Sequence, residues 1–337
     1  MICLNSLRKM NLSNIPSLTS FPRDGLPKTL QSLTIRDCEN LEFLPHDSFH
    51  NYKSLEDLFI ESSCNSMTSF TLCSLPVLKT LEINNCKNLK SILIVEDELQ
   101  HNLLFLRSIR IWYCNELESV SLCGLPIPNL IHLTLGLCEK LRSLPEPINI
   151  LASLQEMSIR GLPNLQSCSI NDLPISLREL RVNKVGGVLW NTTWEHLISL
   201  SVLRIDGDDI VKAVMNMDVG LLPFSLVTLS IAYVEDIECL DGLSLHHLTS
   251  LENLEFLSCN NLKSLPKKGF PSSLKNLKLI HCNNLKSLPK ERLPSSLKEL
   301  TIYECPLLKA SLLGKRGKEW RKIAHIPTIV IDNELIT

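Results

Sequence analysis

The chain has 337 residues, 44% hydrophobic and only 5% aromatic, with 34 basic side chains against 36 acidic ones. It is long enough to bury a continuous core, and its near-neutral balance excludes bulk attraction to nucleic acid. Its 13 cysteines are an odd set, which together with the absence of a secretory signal in Met1-Ile2-Cys3-Leu4-Asn5 predicts a reducing, cytoplasmic setting.

One frame organises the sequence. Leu30, Leu33, Ile35, Cys38 and Leu41 recur as Leu130, Leu133, Leu135, Cys138 and Leu141, as Leu251, Leu254, Phe256, Cys259 and Leu262, and as Leu274, Leu277, Leu279, Cys282 and Leu285. The first leucine of each copy falls at Leu7, Leu30, Leu55, Leu78, Leu106, Leu130, Leu154, Leu177, Leu200, Leu226, Leu251, Leu274 and Leu297, at spacings of 23 to 28. Such a period defines a leucine-rich repeat. The predicted fold is an α/β solenoid, a horseshoe of about 13 repeats with a parallel concave sheet.

In each copy the alternation in Ser32-Leu33-Thr34-Ile35-Arg36 predicts a short strand whose leucine and isoleucine point inward. A single such strand cannot cover its own apolar face, so Leu33 should lie against Leu58 of the next copy. Seven cysteines (Cys38, Cys86, Cys114, Cys138, Cys259, Cys282 and Cys305) occupy one inward position. They read as small core fillers rather than a disulfide or metal ladder.

Along the chain, Leu7, Met10 and Leu12 predict an apolar first edge that something should cover. Glu96, Asp97 and Glu98 predict an acidic convex loop. The uncharged run Ser119 to Cys138 is long enough to raise the question of a membrane span, but Pro126, Pro128, Asn129 and His132 interrupt it, and the repeat continues through it. Leu-Pro phrases such as Leu173-Pro174 and Leu293-Pro294 return the chain to each new strand. They predict a convex side of loop and 3-10 turns rather than α-helix.

Residues 183–222 are irregular. Gly186-Gly187 breaks the frame, Trp190 and Trp194 are expected in the core, and Asp206-Gly207-Asp208-Asp209 reads as a solvated turn, since it lacks the ligand spacing of a calcium loop. His246 and His247 lack zinc-ligand spacing. The repeat domain is placed at 1–308 and a capping segment at 309–337. There Trp320 and Ile323 should cover the last coil while the bases of Lys309 to Lys322 face water, and Ile326 to Asp332 should form one closing strand.

No phosphate loop, zinc-protease motif or nucleophile elbow occurs, so neither an enzyme nor a cofactor is expected. Function is then assigned to the outward strand positions. These gather Arg110, Trp112, Arg160, Arg181 and Arg204 on the concave face of copies five to nine, with Tyr113 at the lip. Arginine and tryptophan are the side chains that dominate protein contacts. Leu257, Ile280 and Tyr303 form a rival patch.

The frame with its Leu-Pro-Ser-Ser-Leu links, and above all Trp320-Arg321-Lys322-Ile323-Ala324-His325-Ile326-Pro327-Thr328-Ile329-Val330-Ile331-Asp332, resembles the leucine-rich-repeat region of plant nucleotide-binding disease-resistance receptors (NLRs) that carry an N-terminal coiled coil. Leu203-Arg204-Ile205-Asp206-Gly207 followed by Gly220-Leu221-Leu222-Pro223 is similar to the irregular repeat before the last coils of that family. The resemblance implies a sensor of a pathogen effector or guarded host protein that also restrains the receptor's nucleotide-binding domain. Neither the coiled coil nor that domain is present in the sequence. The partner is therefore expected to be a protein, with no nucleic acid and no membrane span. The alternative is a substrate-recruiting repeat subunit of a ubiquitin ligase, whose longer coils and F-box are not visible.

Overall fold

A computed structural model describes residues 6–21, 25–43, 51–72, 75–94, 103–121, 127–166, 172–186, 194, 196–215, 222–267, 269–289, 293–312 and 318–336. Trp190 and the acidic segment around Asp97 lie outside them. Two compact units are present, Met1–Leu177 with Val185–Leu189, and Arg178–Lys184 with Trp190–Thr337.

The first unit carries β1 (Lys9–Ser13), β2 (Ser32–Arg36), β3 (Asp57–Glu61), β4 (Ser69–Leu72), β5 (Thr80–Asn84), β6 (Ser91–Ile94), β7 (Ser108–Trp112), β8 (Ser119–Ser121), β9 (His132–Gly136) and β10 (Glu156–Leu162). Its main sheet is parallel in the order β1-β2-β3-β5-β7-β9-β10. Leu33 pairs with Leu58 and Ile35 with Ile60, as the alternation predicts. The inward leucines of β2, β3 and β5 are at most 1% exposed, and each such burial contributes about 1.5–3 kcal/mol. Met10 and Leu12 of β1 are only half-buried, unlike their counterparts in the strands that follow.

A second parallel sheet, β4-β6-β8, stands on the returning limb of three coils. Its origin is compositional. Most coils return through Leu-Pro, and proline has no N–H to give to a ladder. The coils holding β4, β6 and β8 instead read Ser-Phe-Thr-Leu, Ser-Ile-Leu-Ile and Ser-Val-Ser. Later on this limb, where Pro266 and Pro289 follow Ser264 and Ser287, the described residues make single bridges, Cys239 with Ser264 and Ser264 with Ser287.

The second unit holds β11 (Glu179–Val185), β12 (Val202–Asp206), α1 (Asp208–Met215), β13 (Thr228–Ala232), β14 (Asn253–Leu257), β15 (Asn276–Ile280), β16 (Glu299–Tyr303), α2 (Pro306–Leu312), α3 (Lys318–Ile323), β17 (Thr328–Ile331) and β18 (Glu334–Leu335). Strands β11 to β17 are parallel neighbours in chain order, and β18 returns antiparallel to β17.

Three expectations are corrected here. Asp208 and Asp209 do not form a solvated turn. They open α1, whose Ile210, Val211 and Val214 are buried, and the Asp208 carboxylate accepts the N–H groups of Glu235, Asp236 and Ile237 at 2.9–3.1 Å. The closing segment is a hairpin rather than one strand, because Asp332 and Asn333 are both left-handed and turn the chain back. The bases near the end do not all face water. Lys322 donates to the Leu288 carbonyl at 3.0 Å and to Glu319 at 2.7 Å with only 19% of its side chain exposed, and Lys309 holds Asp332 at 2.5 Å. Ile323 is fully buried, whereas Trp320 is only half-covered. Trp194 is buried in the core.

One backbone feature recurs at the end of the strand segments, directly after the last residue in most and at the last residue but one in β10 and β11. Asn14, Asp37, Ser62, Asn85, Tyr113, Leu137, Gly161, Lys184, Gly207, Tyr233, Ser258, His281, Glu304 and Asp332 all have φ between +44° and +97°. Simple alternation would send Asp37 inward and Cys38 outward. The left-handed residue inverts that phase, so Cys38 is buried and its thiol lies 3.4 Å from the Arg36 carbonyl. The inverted residue also extends the ladder, as when Asp37 N–H donates to the Glu61 carbonyl at 3.1 Å.

Candidate recognition surface

The outward strand positions form continuous columns because the strands pair without slippage. In the first unit one column runs Asn11, Thr34, Phe59, Glu82, Arg110, Thr134, Ser158 and another Ser13, Arg36, Glu61, Asn84, Trp112, Gly136, Arg160. The second unit has Arg181, Arg204, Ser230, Glu255, Lys278, Thr301 and Asn183, Asp206, Ala232, Leu257, Ile280, Tyr303. One backbone register thus aligns unlike side chains while the inward positions stay uniformly apolar.

Arg110, Trp112, Tyr113 and Arg160 belong to the first unit. The indole of Trp112 lies on the neighbouring strand at Gly136, where an added Cβ would stand 1.6 Å from Cζ3. Only a missing side chain lets the ring lie flat there. Tyr113 packs at its edge, with centroids 6.1 Å apart, yet is 51% exposed. Arg110 approaches Glu82 at 3.9 Å.

Arg181 and Arg204 belong to the second unit and are register partners. They are not isolated cations. Arg181 meets Glu179 at 2.6 Å, and Arg204 reaches both Glu179 and Glu255 at 3.4 Å. To do so Arg204 spans Ser230, which is 3% exposed, on its way to the next strand but one. Lys278 joins Glu255 at 3.1 Å. Glu179 escaped the sequence reading because it precedes the strand frame's outward pair, although its place opposite Val202 lies diagonal to Arg204. Both carboxylates are largely covered, Glu179 20% and Glu255 16% exposed, so they hold the two arginines in place on this face.

Leu257, Ile280 and Tyr303 are consecutive partners in one column and all half-buried. His281 stacks edge-on against Tyr303 at 5.6 Å, and its Nδ1 lies 2.9 Å from Glu304.

The nine described cysteines are free, and all but Cys239 are buried. Burial and the neighbouring Cys38 push the Cys64 thiol up to about 12, and hydrogen bonding with Cys259 together with burial does the same for Cys282. These two thiols fill space and stay protonated. Among the described residues no three His, Cys, Asp or Glu side chains gather where a metal ion could be held, and no helix is long and apolar enough to cross a membrane.

No protein-family model matches the chain. Over 252 residues, 73% of its length, it is 31% identical to an Arabidopsis thaliana protein named as a candidate disease resistance protein. Over 137 residues, 41% of its length, it is 31% identical to a candidate disease resistance RPP13-like protein 1 of the same plant. The chain spans only 17% and 13% of those relatives. Among solved structures, an internalin of Listeria monocytogenes aligns over 88% of this chain and 87% of its own, with 15% identity and a TM-score of 0.42. A plant peptide hormone receptor bound to its hormone aligns over 90% and 67%, with 17% identity and a TM-score of 0.29. The chain is a leucine-rich-repeat-type parallel solenoid distantly related to plant disease-resistance proteins.

Proposed function

We propose that this chain is the recognition segment of a plant disease-resistance receptor: a leucine-rich-repeat horseshoe, closed by a capping segment at 309–337, that binds a protein on its concave columns. The bound protein is a pathogen effector or a guarded host protein, and the early coils hold the receptor's nucleotide-binding domain inactive until it arrives. Binding then shifts a two-state equilibrium by its differential affinity. No catalytic step is involved.

The observation that carries this reading is the contrast between columns. Inward positions repeat leucine, isoleucine and cysteine, while the aligned outward positions hold Arg110, Trp112 and Arg160, with Tyr113 beside them, in the first unit and Arg181 and Arg204 in the second. Arginine, tryptophan and tyrosine are the anchors of protein interfaces. The similarity to two plant proteins named for disease resistance supplies the setting.

The test is a receptor carrying this segment with Arg160→Glu and Arg181→Glu together. Its effector-triggered response should disappear while the melting curve of the segment stays in place. A response of undiminished strength removes these columns from the reading.

A further inference from the structure

A different face of the first unit carries three exposed large apolar side chains, Leu104, Phe105 and Ile175. Two positions before the first leucine of successive copies stand Pro76, Leu104, Pro128, Ala152 and Ile175. Leu104 is 45% exposed, Phe105 beside it 50%, and Ile175 63%. This row runs along the flank where the chain enters each strand, one position removed from the buried leucines, and the concave columns do not include it. Large apolar side chains repeated in one place on a surface mark a contact site.

Between these turns lies a groove of about 550 Å³, within the range of pockets that take a ligand group. Leu104, Phe105 and Ile131 give it apolar walls, and among the described residues Arg107 is the one charge in its lining. No described carboxylate pairs with Arg107, and the nearby Glu156 is engaged by His132 at 3.1 Å. The turns are fixed to one another: Asn129 donates its side-chain amide to the Leu104 carbonyl at 2.7 Å, and the Ile131 and His132 N–H groups both donate to the Arg107 carbonyl at 2.9 Å. Ser153 and Gln155, also in the lining, keep side-chain donors and acceptors without a partner among the described residues.

We infer that this flank groove is a second binding site, for a peptide segment of a protein partner that presents a large apolar side chain beside a carboxylate. The apolar group fills the space between Phe105 and Ile131, the carboxylate meets the unpaired Arg107, and the peptide backbone meets Ser153 and Gln155. The site goes beyond the concave reading and does not depend on it.

A random peptide library displayed on phage, selected on this chain and counter-selected on Phe105→Ser, tests it. Enriched peptides should pair leucine, phenylalanine or tryptophan with aspartate or glutamate. Synthetic copies should lose about tenfold or more in affinity to Arg107→Glu, and lysine-for-acid copies should prefer that variant over the native chain. The Arg160→Glu, Arg181→Glu chain should bind them as the native chain does. The inference is overturned by a library without enrichment, by peptides that lack acids or bind Phe105→Ser equally well, or by loss of binding in the concave variant. All substituted positions are surface ones, and unchanged melting curves confirm that each variant is folded.

Discussion

Gly136 is the floor on which Trp112 rests: the indole occupies the space that any side chain at Gly136 would need. The placement of the Trp112 ring is thus set by a glycine one strand away. Gly136→Ala should cost about 1–3 kcal/mol in urea unfolding, the usual penalty for overpacking. In a Trp112→Ala background the same change should cost under about 1 kcal/mol, because the clash is gone. Equal costs in both backgrounds would show that the two positions are not coupled.

The thiols offer a second check. Brief labelling with iodoacetamide under native conditions, mapped by mass spectrometry, should modify Cys239 and spare the other eight described cysteines, which are buried. Protection should end in the same denaturant range in which the solenoid unfolds. Early labelling of Cys86 or Cys282 would contradict the packing described for them.

Asp208 ties α1 to the turn that follows β13 by accepting three backbone N–H groups. Asp208→Ala should destabilise the chain by about 1–3 kcal/mol, the range for charge-assisted bonds left unmade. Asp209→Ala, which removes an exposed carboxylate without such bonds, is the control and should change little. Indistinguishable unfolding midpoints for the two variants would refute the tie.

At the end of the chain, the Lys309 ammonium, followed by the Glu304 N–H, holds the Asp332 carboxyl below its ordinary value of 3.8. A carboxylate with a depressed folded pKa stabilises the fold above its unfolded pKa and loses that contribution as pH falls through the folded value. The melting temperature should therefore drop below about pH 3.8, and Asp332→Asn should flatten that part of the profile while lowering stability at neutral pH. An unchanged acid limb in the variant would assign the drop to other carboxylates.

Much of this was legible in the sequence. The pairing of Leu33 with Leu58, and the columns that place Arg181 beside Arg204, follow from alternation and from the period of the frame, since a slip of one residue would expose every leucine. The sheet formed by β4, β6 and β8 was readable too, from the absence of proline after Ser69, Ser91 and Ser119, but that signal lies in what the coils lack. Helix α1 was hidden because Asp206, Gly207, Asp208 and Asp209 have a turn's composition, and only Ile210, Val211 and Val214 carry the helical spacing. The bridge from Arg204 over Ser230 to Glu255 depends on side-chain reach across two strands, which no one-dimensional pattern encodes.

The left-handed residue that closes each strand separates two demands that most folds leave entangled. Its backbone angles are fixed, yet asparagine, tyrosine, leucine, lysine, histidine and glutamate all occupy it, at Asn85, Tyr113, Leu137, Lys184, His281 and Glu304. Each such residue pays a small strain cost, about 1–2 kcal/mol where it is not glycine, in return for putting the next core side chain inside. A chain built this way can rewrite its rim residue by residue, one coil at a time, and leave the hydrophobic interior unaltered.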